Sequence, residues 1–108
     1  MKLTCTQENL RLALSSLERV VGKQSTLPIL SNILLETNNG QLRLSATNLE
    51  IGVITTIGAK IEREGKSTVP AKLIITFIQN LATDQIVSVE QIGTQVVLQS
   101  GNQTVKIN

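Results

Sequence analysis

Apolar positions along this chain follow the same order twice: a short extended segment, an amphipathic helix, then three alternating segments that can pair as strands. In the first unit Lys2 to Thr6 reads as extended, Glu8 to Val21 as helix, and Ile29 to Thr37, Gln41 to Ala46 and Glu50 to Lys60 as strands. In the second, Ser67 to Val69 is extended, Ala71 to Leu81 is helical, and Gln85 to Glu90, Gln95 to Gln99 and Gln103 to Ile107 alternate. Asn38-Asn39-Gly40, Ile92-Gly93-Thr94 and Ser100-Gly101-Asn102 separate paired segments, where Gly and Asn accept a positive φ at little cost. The pattern predicts an α+β fold of two βαβββ repeats, with both helices packed on one side of antiparallel sheet.

Each helix carries a face that needs covering. In the first, Leu10, Ala13, Leu14, Leu17 and Val21 recur at helical spacing, with Arg11, Ser15, Glu18 and Arg19 opposite. Thr6 can cap it, Glu8 suits the positive end of the peptide dipoles, and Gly22 ends it. Arg11, Arg19 and Lys23 can approach a phosphate backbone together; an ordinary solvated face fits the same residues, and both readings stand. The second helix starts after Pro70, whose missing N–H is tolerated there. Leu73, Ile74, Phe77, Ile78 and Leu81 form its apolar arc; Lys72, Thr76 and Gln79 lie on the other side with Ile75. That side has no acid to repel a polyanion.

The last strand alternates Val105 and Ile107 against Thr104 and Lys106. At a sheet edge its open backbone groups can pair with another domain or subunit. Val105 then belongs either to such a junction or to the internal core.

At 108 residues the chain is one domain long. With Phe77 as its single aromatic residue, the core must be built from Leu, Ile and Val. Ten Lys and Arg against eight Asp and Glu give a net charge of +2, so only local placement of charge can favour a nucleic acid. The absence of His and the single cysteine, Cys5, remove the commonest general base, any internal disulfide and any all-cysteine metal site. Cys5 reads as a small core or sheet residue, and Glu62 and Glu64 as a polar strand-end turn beside Gly65. No nucleophile, carboxylate pair or phosphate loop emerges, so no catalytic, metal or cofactor site is expected. Apolar stretches are too interrupted for a membrane span, and the opening MKLTCTQENL lacks a continuous signal segment, which points to a cytoplasmic protein. A standalone protein-interaction domain that recruits partners through edge strands is the alternative reading.

The segments TLPILSNILLE (Thr26 to Glu36) and SATNLEIGV (Ser45 to Val53) closely resemble the amino-terminal domain of the bacterial DNA polymerase III β subunits, the replication sliding clamps. MKLTCTQENL at the start, STVPAKLI (Ser67 to Ile74) and SGNQTVKI (Ser100 to Ile107) extend the resemblance over nearly the whole chain. Asn48 stands where the family usually has Asp, a change that keeps a short hydrogen-bonding side chain. The resemblance implies the clamp fold and a head-to-tail homodimer of three-domain subunits, a closed ring around duplex DNA with helices lining the channel. Residues 1–108 are then the first of three domains. The clamp loader and the polymerase III α subunit are expected to bind mainly the other two. The family's DNA-facing basic position aligns with Gln24, which leaves Lys23 as the better cation; Arg11, Arg19, Lys72 and Gln79 complete the expected DNA-facing set. The subunit junction is expected at Leu73, Phe77, Gln103, Val105 and Ile107.

Overall fold

The computed structural model describes residues 1–22, 32–47 and 52–108. The chain runs β1 (Lys2–Thr6), α1 (Gln7–Gly22), β2 (Asn32–Asn38), β3 (Gln41–Thr47), β4 (Gly52–Gly58), β5 (Lys60–Arg63), β6 (Lys66–Pro70), α2 (Ala71–Gln79), β7 (Ile86–Ile92), β8 (Gln95–Ser100) and β9 (Gln103–Ile107). The strands form a five-stranded sheet in the order β5-β1-β7-β8-β9 and a four-stranded sheet in the order β4-β3-β2-β6. Every pairing among them is antiparallel. Both helices and the inward faces of both sheets contribute to one apolar cluster, the α+β arrangement of two βαβββ units expected from the pattern.

The units are joined by an exchange. The leading strand of the first, β1, pairs with β7 of the second, while β6, which leads the second, pairs with β2 of the first. The two registers match: Cys5 faces Val87 just as Val69 faces Ile33, each one step before its strand-helix junction. Aligning the junctions Thr6-Gln7 and Pro70-Ala71 sets Leu10 on Ile74, Leu14 on Ile78 and Leu17 on Leu81, all buried.

Outward faces of the sheets are largely polar, with Ile54, Ile86 and Ile92 as exposed apolar exceptions. Lys60, Thr4, Ser88, Gln99 and Thr104 form one cross-strand row on the larger sheet. Thr56, Arg43, Glu36 and Lys66 form another on the smaller. Such alternation leaves one face per strand for the core. It is filled by aliphatic side chains such as Leu3, Leu35, Leu44 and Leu98, each fully buried.

Local signals account for much of this. The Thr6 hydroxyl accepts the Asn9 N–H at 3.2 Å, an N-cap that starts α1 at Gln7, one residue earlier than expected. Asn39 and Gly40 both have positive φ, which gives the β2–β3 hairpin the turn whose twist suits its strands. At Gly65 the need is for space: a Cβ there would lie 2.9 Å from the Met1 nitrogen.

Three expectations are corrected. The predicted strand Glu50 to Lys60 is two strands in different sheets, since β4 ends at Gly58 and the Ala59 N–H turns back to the Gly40 carbonyl at 3.0 Å. Glu62 and Arg63 therefore lie in or at the end of strand β5 rather than in a turn, and Glu62 is the extra residue of a bulge against β1. On α2, Leu73 is 50% exposed, whereas Ile75 packs partly against the core. The expected strand start at Ile29, the turn at Asn48 and the side chain of Val21 lie outside the described residues.

Candidate nucleic-acid interface and subunit edge

The expected DNA-facing residues do not share one environment. Lys72, Thr76 and Gln79 form an exposed row along α2, as the helical spacing requires. Arg19 is exposed in the last turn of α1. Arg11 is different: it is half-buried, and its Nε has no exposure and no hydrogen-bond partner among the described residues. It borders the apolar stripe rather than standing opposite it, and the centre of the exposed face is held by Leu12 and Ser16. Lys23 and Gln24 lie outside the described residues.

Charge is distributed unevenly between helices and sheets. Among the described residues the ion pairs are Lys2–Glu62 at 3.5 Å, Arg43–Glu36 at 3.2 Å and Arg63–Glu90 at 3.8 Å, all on the sheets. Arg63 also donates to the Gln91 carbonyl at 3.0 Å, which ties β5 across β1 to β7. Among the described residues none of these pairs engages Arg11, Arg19 or Lys72.

The expected junction residues divide between two elements. On α2, Leu73 is half-exposed and Phe77 is buried. On β9, Gln103 is exposed, Ile107 is buried, and Val105 is half-buried on the core side, opposite the fully buried Leu98. Val105 keeps its remaining exposure because β9 is the last strand of its sheet. The four sheet edges are unlike. β5 is short, bulged and largely charged, while β6 carries Lys66 and ends in Pro70, which has no N–H to offer. β4 has no charged residue, and β9 has a single lysine.

Cys5 is buried, and desolvation pushes its thiol up from 9.0 to about 12. The thiolate is thus suppressed at neutral pH, which fits a packing role. Among the described residues no group of three or more His, Cys, Asp or Glu can hold a metal ion, and no helix is long and apolar enough to cross a membrane. We expect alkylation of Cys5 by iodoacetamide at pH 8 to be negligible in the folded protein and rapid in denaturant, read by intact mass. The raised pKa also predicts a sign. The unfolded chain releases the proton first, so stability falls as pH rises from about 9 toward about 12.

Sequence reasoning missed Gln7. It is fully buried, and its Nε2 donates to the Ile78 carbonyl of α2 at 2.9 Å, while its N–H donates to the Gln85 carbonyl at 2.9 Å. A glutamine in the first turn of an amphipathic helix looks like surface until the second helix is in place.

The family model for the DNA polymerase III beta subunit, N-terminal domain, matches residues 1–108. The chain belongs to this family. The beta sliding clamp of Synechococcus elongatus is 36% identical over 104 residues, which are 94% of this chain and 28% of that protein. That of Escherichia coli is 31% identical over 102 residues, with the same shares covered. A solved Caulobacter crescentus pol III beta structure superposes with a TM-score of 0.90 at 34% identity, over 99% of this chain and 29% of that one. A Pseudomonas aeruginosa DNA polymerase III beta subunit gives 0.89 at 27% identity, again over 99% of this chain and 29% of that one. The chain therefore spans less than a third of the length of these relatives, and the family resemblance read from its motifs holds along its whole length.

Proposed function

We propose that this chain is the first domain of a three-domain sliding clamp, a segment of a closed ring that encircles duplex DNA and keeps a polymerase on it. The role is mechanical, with no bond made or broken. The observation that carries this reading is the pair of unguarded edges: among the described residues each sheet has one edge blunted by charge, bulge or proline and one, β4 or β9, left able to pair. A ring segment needs two such joins, one to each neighbour. We assign β9, with Gln103, Val105 and Ile107, and the Leu73 to Phe77 face of α2 to the junction with the other subunit of a head-to-tail homodimer.

The helix faces supply the other half of the mechanism. Arg11, Arg19 and Lys72, together with Lys23 beside Gln24, attract phosphates weakly, and Gln79 lies along the backbone without repelling it. Closure of the ring prevents escape, so tight base recognition is unnecessary and would oppose sliding. The clamp loader and the polymerase α subunit are assigned mainly to the other two domains.

Compare the intact protein with a variant carrying alanine at Arg11, Arg19, Lys23 and Lys72, measuring DNA binding over a range of salt. Each lost phosphate contact lowers the slope of log affinity against log salt by about 0.9. Equal affinities and equal slopes reject the assignment.

A further inference from the structure

Among the described residues two buried side-chain atoms have no hydrogen-bond partner, and they are complementary: Gln7 Oε1 accepts and Arg11 Nε donates. They sit four residues apart on α1, hence one above the other on the same face. Gln7 already reaches across the helix pair through Nε2 to the Ile78 carbonyl. The internal repeat sharpens the coincidence. Gln7 aligns with Ala71 and Arg11 with Ile75, so where one unit has two polar residues the other has two apolar ones. Leaving a buried donor or acceptor unmet is costly, whereas replacing both partners by apolar groups is nearly neutral.

We propose that Gln7 and Arg11 act as one polar latch, closed by a single water that accepts from Arg11 Nε and donates to Gln7 Oε1. The latch fixes the half-buried Arg11 stem and holds the guanidinium tip at the surface. Gln7 is then a positioning residue for Arg11, and that consequence rests on the reading of α1 as a DNA-facing helix.

The test is a cycle of Gln7→Met, Arg11→Met and the double variant in the intact protein. Each single variant leaves one orphan, and Gln7→Met also removes the bond to the Ile78 carbonyl, so each is expected to lower the unfolding midpoint and the double to lose less than the sum of the two. Additive losses overturn the latch. A crystal structure of the wild type offers a check that does not depend on the variants: density within hydrogen-bond distance of both atoms supports the latch, and an Arg11 Nε turned to bulk solvent overturns it. The DNA readout separates positioning from packing. Gln7→Met removes no charge, yet is expected to weaken DNA binding roughly threefold with an unchanged salt slope, the effect of freeing one ordered side chain. If Gln7→Met has no effect on DNA binding while Arg11→Met lowers it, the positioning role is overturned. If neither affects DNA binding while the midpoints are non-additive, the latch stands and the DNA role of Arg11 falls.

Discussion

Replacing Leu35 with alanine is expected to remove about 2–5 kcal/mol of stability, a large share of the roughly 5–15 kcal/mol that holds a domain of this size together. Leu35 is fully buried on β2, an inner strand, and faces the equally buried Leu44 on β3. Alanine there loses the transfer free energy of the missing carbons, and neighbours fixed in two ladders collapse only partly into the space. The midpoint of urea unfolding measures the effect. Leu12→Ala is the comparison, because that leucine is 53% exposed on α1 and should change stability by no more than about 0.5 kcal/mol. Similar midpoints for the two variants would contradict the core described above.

In the intact protein, Val105→Glu is expected to abolish assembly of the proposed ring. The position combines an open strand edge with partial burial opposite Leu98, so a carboxylate there is placed against apolar surface both within the domain and in the proposed junction. Sedimentation reports assembly and circular dichroism reports fold. Loss of the dimer with the fold retained establishes the junction role; an unchanged dimer rejects it; unfolding assigns Val105 to the core. Val105→Thr keeps the branched shape suited to a strand and replaces one methyl with a hydroxyl. It is expected to weaken the dimer while leaving the domain folded.

Much of the fold was legible because its signals are local. The Leu10, Ala13, Leu14 and Leu17 stripe, the Thr6 cap and the Asn39-Gly40 turn each depend on residues within a few positions of one another. The exchange of leading strands left no such trace, since nothing in Lys2 to Thr6 names Ile86 to Glu90 as its partner. The change of sheet at Ala59 was hidden for a related reason: Ile57, Ala59 and Ile61 continue one alternation across the break. The functional surfaces were read less well. Exposure of Lys72 and Gln79 follows from helical spacing alone, but nothing in that spacing marks Arg11 as half-buried, and Gln7 bonds to the far end of α2. The expected DNA-facing set came mostly from helix faces, with the family resemblance adding the position of Gln24, and neither signal says which of those residues the second helix would constrain.

The strand exchange also dictates when the domain can form. Leu3 waits for Val89 and Leu35 waits for Ser67, so each sheet contains a strand drawn from the other half of the chain. Contacts this distant in sequence slow folding, because the intervening chain must be closed before they contribute. As the chain leaves the ribosome, β1 can meet β5 early, but its larger sheet stays incomplete until β7 to β9 emerge. The smaller sheet needs only β2 to β4 and β6, whereas the larger waits for β7 to β9, so the duplicated halves that look like two modules are completed together only when the last strands are available.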